Sequence, residues 1–220
     1  MKKYKNLLTI ATLSTSVILT NIAAADVAVG INYNDNINCA PLKASPDEEG
    51  VIYGTDDVDR QWLNIYHAPG SGPKPVFLFS HAQNGSACNI SDNMKNIMSG
   101  ENYTIVSWES HPALTDPILT QEAWADAELV LAYLKDNANA FNLDMSNVVV
   151  SGRSRGSGAS WKLAHGGDVS IQGIYMPQAL PDPFWGHPTI WDPAADVTEN
   201  SKPIHMPYKP SSPDITGDIH

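Results

Sequence analysis

The decisive stretch is Asn147-Val148-Val149-Val150-Ser151-Gly152-Arg153-Ser154-Arg155-Gly156-Ser157-Gly158-Ala159-Ser160-Trp161-Lys162-Leu163-Ala164. Residues 147–151 are apolar, β-branched and bounded, as expected of a strand buried on both faces. Residues 157–164 read as a helix with small residues in its first turn. Between them Gly152-Arg153-Ser154-Arg155-Gly156 fits G-x-S-x-G. Glycine and serine are common, so the pattern alone says little; its place between strand and helix is what separates it from an ordinary loop. A serine on so sharp a turn adopts a strained backbone, and side chains two residues to either side would collide. That is the physical need for Gly152 and Gly156. The turn also sets Ser154 at the start of a helix, where the amide of Arg155 faces any oxyanion that forms on a bound molecule. Ser154 is therefore the candidate nucleophile and Arg155 supplies one of two expected oxyanion donors.

Working outward, residues 75–80, 103–108 and 171–175 share the character of the 147–151 strand, and 203–208 is a weaker case because two prolines interrupt it. Upstream, 51–53 and 62–66 read as two strands joined by the acidic turn Gly54-Thr55-Asp56-Asp57, an antiparallel opening. The best helical pattern runs from about Gln121 to Ala140, with Trp124, Ala127, Leu131 and Leu134 on one face and Glu122, Asp126 and Lys135 on the other. Strands alternating with helices in this order predict an α/β fold, a mostly parallel central sheet with crossover helices. Its functional loops then lie at the carboxyl ends of the strands.

The loop after the 75–80 strand reads His81-Ala82-Gln83-Asn84-Gly85. With the serine turn and the segment 133–144 before it, this resembles the α/β-hydrolase superfamily, in particular secreted carboxylesterases of the feruloyl and acetyl esterase kind with an H-G-G-G loop. The likeness spans roughly residues 51–208. It implies that His81 orders the loop and that the backbone amides of Gln83 and Asn84 complete the oxyanion hole. Three positions depart from H-G-G-G, so Asn84 must use the left-handed conformation that asparagine tolerates, or φ must stay negative throughout. The resemblance also implies the chain order Ser, acid, His. Asp214 is then the leading acid candidate and Asp218 the alternative, although aspartates in a Pro/Ser/Gly-rich segment are commonly turn residues. His220 follows Asp218 too closely to match the family's base, and no position selects among His67, His111, His165, His187 and His205. The expectation is that the last strand, its helix and the base are missing from residues 26–220.

That resemblance implies a serine hydrolase acting on carboxylic esters through an acyl-enzyme, with no metal or organic cofactor and with a small-molecule or polysaccharide-linked ester as substrate. A catalytically inert hydrolase-like binding protein or truncated remnant is the alternative, and a serine peptidase of the same fold a further one. Arg153 and Arg155 flank the serine and either bind an anionic group or pair with a local carboxylate; the overall acidity favours pairing. Trp185 and Trp191 either line a substrate pocket or pack a long loop.

Lys2, Lys3 and Lys5 precede an uncharged run and Ala23-Ala24-Ala25, which reads as a signal peptide cleaved after Ala25 and predicts a secreted or periplasmic protein. Serines and threonines interrupt the run, so it falls short of a membrane span. A polar arm, residues 26–50, comes next and is expected to be irregular, the opening of a single domain over residues 26–220. The net charge is −11, and losing the three leader lysines takes it to −14. Such a surface repels nucleic acid and anionic lipid. Cys39 and Cys88 are the only cysteines, and in an exported protein a pair favours a disulfide. Neither has the spacing of a metal site. Asn84, Asn89 and Asn102 open N-x-Ser/Thr triplets, which matter only on a glycosylating route.

Overall fold

The computed structural model describes residues 30–39, 44–83, 85–110, 117–179 and 196–205. Among these residues, seven strands and three helices succeed one another as β1 (Glu48–Ile52), β2 (Trp62–Tyr66), β3 (Lys74–Ser80), α1 (Asp92–Gly100), β4 (Thr104–Trp108), α2 (Pro117–Asp136), β5 (Leu143–Ser154), α3 (Arg155–His165), β6 (Ile171–Ala179) and β7 (Ile204–His205). They form one sheet in the order β1-β2-β4-β3-β5-β6-β7. The expected antiparallel opening is present: β2 pairs antiparallel with both β1 and β4. From β4 onward every pairing is parallel. Strands β3, β4 and β5 are therefore central, and their carboxyl ends, at Ser80, Trp108 and Ser154, share one edge.

Both faces are covered, which is why the central strands read as unbroken apolar runs rather than alternating ones. On one face Val76, Leu78, Val148, Val150 and Ile174 pack against Ala127, Val130, Leu131 and Leu134 of α2 and Leu163 of α3. On the other, Phe77, Phe79 and Ile105 pack with Ile90 and the half-buried Met94 and Met98 of α1. Each fully buried leucine or isoleucine of this kind stabilises by about 1.5–3 kcal/mol relative to exposure.

Several boundaries differ from the sequence reading. The strand β1 begins at Glu48 instead of Val51, paired with Ile65. The second helix both starts and ends four residues earlier than expected. Its end is set by asparagine chemistry: Asn137 donates its side-chain amide to the Tyr133 carbonyl at 2.9 Å, and Asn142 takes a positive φ of 54°. Helix α1 is absent from the sequence reading, because none of its residues is fully buried and its apolar pattern is thin. Its signal lies in the cap, Ser91, whose hydroxyl accepts from Met94 N at 3.2 Å. The expectation that Asp126 faces solvent on α2 is corrected: it is 2% exposed and accepts from Gln61 Nε2 at 2.8 Å. Gln61 comes from the β1–β2 turn, so the partner that permits burial is 65 residues away.

Cys39 and Cys88 form a disulfide, with Cα atoms 5.1 Å apart. It joins the N-terminal arm to the loop after β3. No helix among the described residues is long and apolar enough to cross a membrane.

Candidate functional site

At the β5–α3 junction, Ser154 has φ 52° and ψ −121°, a region that residues with a side chain rarely adopt. Close packing on both sides enforces this conformation. A Cβ on Gly152 would overlap the Gly156 carbonyl, and one on Gly156 would lie 2.6 Å from the His81 carbonyl oxygen and nearer still to that of Ser80. Both glycines are thus required by backbone contact. The first turn of α3 rests directly on the end of β3, so the serine turn and the 81–87 loop are in contact. The Ser157 hydroxyl donates to the Ser154 carbonyl at 2.5 Å, while the Ser154 side chain makes no capping hydrogen bond to α3. Ser154 is half-buried and Arg153 exposed.

The loop itself turns tightly. Gly85 N donates to the Ala82 carbonyl at 2.9 Å, closing a turn around Gln83, which is exposed. Arg155 contributes its amide at the first position of α3, and its side chain is buried.

His81 is 2% exposed. Its Nδ1 lies 2.8 Å from the Ala82 carbonyl and its Nε2 2.8 Å from Glu109 Oε1. Both ring nitrogens are engaged, and the tautomer sets which of them donates. The Arg155 guanidinium approaches the same Nε2 at 3.4 Å. Burial presses the Arg155 guanidinium below its ordinary value, and Glu109 opposes that shift. The Tyr53 hydroxyl donates to the Glu109 carbonyl at 2.5 Å; burial, with Asp126 and Glu109 nearby, holds its pKa well above the ordinary value. Arg155 therefore lies among buried ionisable groups, with Glu109 and Asp126 both favouring its charged form. Sequence reasoning missed Glu109, whose one legible signal is a carboxylate placed just after a buried parallel strand.

The remaining described histidines lie elsewhere. His67 comes directly after β2, which runs antiparallel to its neighbours, and so falls at the opposite edge of the sheet from Ser154. His165 ends α3, about 16 Å along the helix from Ser154 at 1.5 Å per residue, stacked on Trp161. His205 is exposed on β7, two strands from β5, stacked on Tyr175. Asn84, His111, Trp185, His187, Trp191, Asp214, Asp218, His220 and the leader lie outside the described residues.

Strand order, the antiparallel first two strands and the strand-turn-helix at Ser154 define an α/β-hydrolase fold. Solved structures with this fold bear it out. The chain resembles a truncated form of a carbohydrate esterase from gut microbiota (TM-score 0.58, 14% identity, covering 75% of this chain and 76% of that one). It also resembles a thermophilic esterase from the planctomycete Thermogutta terrifontis (TM-score 0.55, 12% identity, 70% and 68%). Esterase LipW from Mycobacterium marinum matches at 25% identity with a TM-score of 0.48, over 55% of this chain and 40% of its own. The chain thus spans about two fifths of LipW. No protein-family model and no curated protein matches the sequence.

Proposed function

We propose that the chain hydrolyses carboxylic esters through Ser154. The observation that supports this most is the serine's strained backbone between two glycines that contact requires, seated on the end of β3. In this reading Ser154 Oγ attacks the acyl carbonyl as its proton passes to a base. The amides of Arg155 and Gln83, with Asn84, hold the oxyanion. The alcohol leaves with that proton, and water then releases the acid and restores the serine. The base comes from His111, His187 or His220 if from this chain, since the four described histidines are occupied or distant. Asp214 remains the leading acid, with Asp218 second. The substrate is a small-molecule or polysaccharide-linked ester, met outside the cytoplasm after the leader is removed.

That same distribution of histidines favours a second reading, a hydrolase-like protein without activity, because losing a triad member leaves only residual catalysis. One experiment separates the two: intact-mass analysis after exposure to a fluorophosphonate, with Ser154→Ala as control. An adduct that vanishes in the variant supports the esterase. No adduct on the wild-type chain overturns it in favour of the inert protein. Parallel turnover of ester and amide substrates then distinguishes esterase from peptidase.

A further inference from the structure

The buried carboxylate of Glu109 does more than neutralise charge. It lies just beyond β4, 5% exposed, and each oxygen has its own nitrogen partner. His81 Nε2 reaches Oε1 at 2.8 Å and the Ala87 amide reaches Oε2 at 3.2 Å. His81 begins the loop after β3, and Ala87 is near its end. One side chain therefore grips both limbs of the loop that carries Gln83. Its own backbone is anchored in turn: Glu109 N donates to the Trp62 carbonyl at 2.8 Å and its carbonyl accepts from Tyr53. On the other side stands Arg155, the residue after Ser154, whose guanidinium lies 3.4 Å from His81 Nε2.

We propose that Glu109 is a positioning residue: it holds the 82–87 loop in register with the Ser154 turn, so that the Gln83 amide faces the atom Ser154 attacks. This rests on the esterase reading for its catalytic consequence and on the structure alone for the loop. The carboxylate answers both contacts at once: Oε2 accepts from Ala87 N, and Oε1 meets His81 Nε2. An alanine offers neither contact: Ala87 N loses its acceptor and His81 Nε2 its partner, whichever tautomer the ring adopts. The loop must then release one limb, moving the oxyanion donor away from Ser154 without touching the substrate-binding surface.

The test uses Glu109→Ala and, because that variant also removes a buried negative charge, Glu109→Asp, which keeps the charge but is one methylene too short to reach both limbs. Two readouts apply to the whole chain: fluorophosphonate labelling kinetics, and hydrogen exchange read by mass spectrometry. Loss of one oxyanion donor lowers reaction rates by about 10²-fold or more. The expected result for Glu109→Ala is a fall of about that size in the maximal labelling rate with the half-saturating phosphonate concentration unchanged, and a smaller fall for Glu109→Asp. Exchange should quicken in peptides covering 81–90 and stay unchanged in β3 and α3. Wild-type labelling and exchange in either folded variant would overturn the proposal. So would exchange quickened throughout the sheet, which would make Glu109 a general stability residue. Should the wild-type chain itself refuse the label, the esterase reading fails, and local exchange at 81–90 still decides whether Glu109 holds the loop.

Discussion

Gly156→Ala tests the construction of the site at its tightest point. Gly156 is the second residue of α3 and has no positive φ, so alanine there meets no backbone strain. By helix propensity alone the change would stabilise by up to about 1 kcal/mol. Its Cβ, however, would lie 2.6 Å from the His81 carbonyl oxygen and closer to that of Ser80. Both obstacles are backbone at the end of a central strand and cannot rotate aside. Restoring ordinary contact would push α3 away from His81 by about 0.8 Å, the shortfall from a separation near 3.4 Å. Overpacking of this sort costs about 1–3 kcal/mol, so after the propensity gain the expected loss is up to about 2 kcal/mol. Ser154 moves with the helix, and a misplacement near 1 Å can cost about 10²-fold in rate. Urea unfolding should show a lower midpoint at unchanged slope, and phosphonate labelling should slow by one to two orders of magnitude. An alanine variant as stable as wild type and labelled as fast would mean that α3 does not abut β3 as described, and the reasoning about the serine turn would fall with it.

Opening the Cys39–Cys88 bridge, which spans 49 positions, should destabilise by about 4 kcal/mol by loop entropy; a melting temperature indifferent to reductant would contradict that. Acid sensitivity should depend on Asp168. Partial burial raises its carboxyl, but hydrogen bonds from Lys135 and Ser170 outweigh that and hold it below its ordinary value. Such a group stabilises above its unfolded pKa of about 3.9, and the contribution disappears as pH falls through the lower folded value. Asp168→Asn should therefore flatten the stability profile below about pH 4 while costing at most about 1 kcal/mol near neutrality, since the pair is partly exposed. Thermal unfolding across pH 2–7 would show it, and an acid limb identical to wild type would count against it.

What could be read from the sequence was local. The runs that became β2 to β5 declare themselves because burial on both faces demands unbroken apolar residues, and the serine turn because two glycines are needed at fixed spacing around one strained residue. The asparagines that ended α2 early are legible as turn residues but compete with a strong helical pattern up to Leu134. Asp126 and Glu109 escaped because their burial depends on donors 65 and 28 residues away, Gln61 and His81, and a charged residue reads as exposed until its partner is known. His81 shows the same limit from the other side: its position suggested a loop-ordering role, but only the fold shows that both its nitrogens are engaged.

The arm before β1 has a consequence for how the chain can be cut. Tyr33 bridges to Val51, Asn34 N donates to the Gly50 carbonyl, and Ala44 N donates to that of Ile90. Asn64, wholly buried on β2, accepts from Gly50 N and donates to Cys39 Sγ at 3.0 Å. A shortened form beginning at the first regular strand would therefore discard the strap over the loop that ends at Cys88 and Ile90, although the sheet itself would look complete. New termini for a permuted version belong instead at the exposed turn holding Gly70 and Gly72, which lies apart from both the strap and the serine turn.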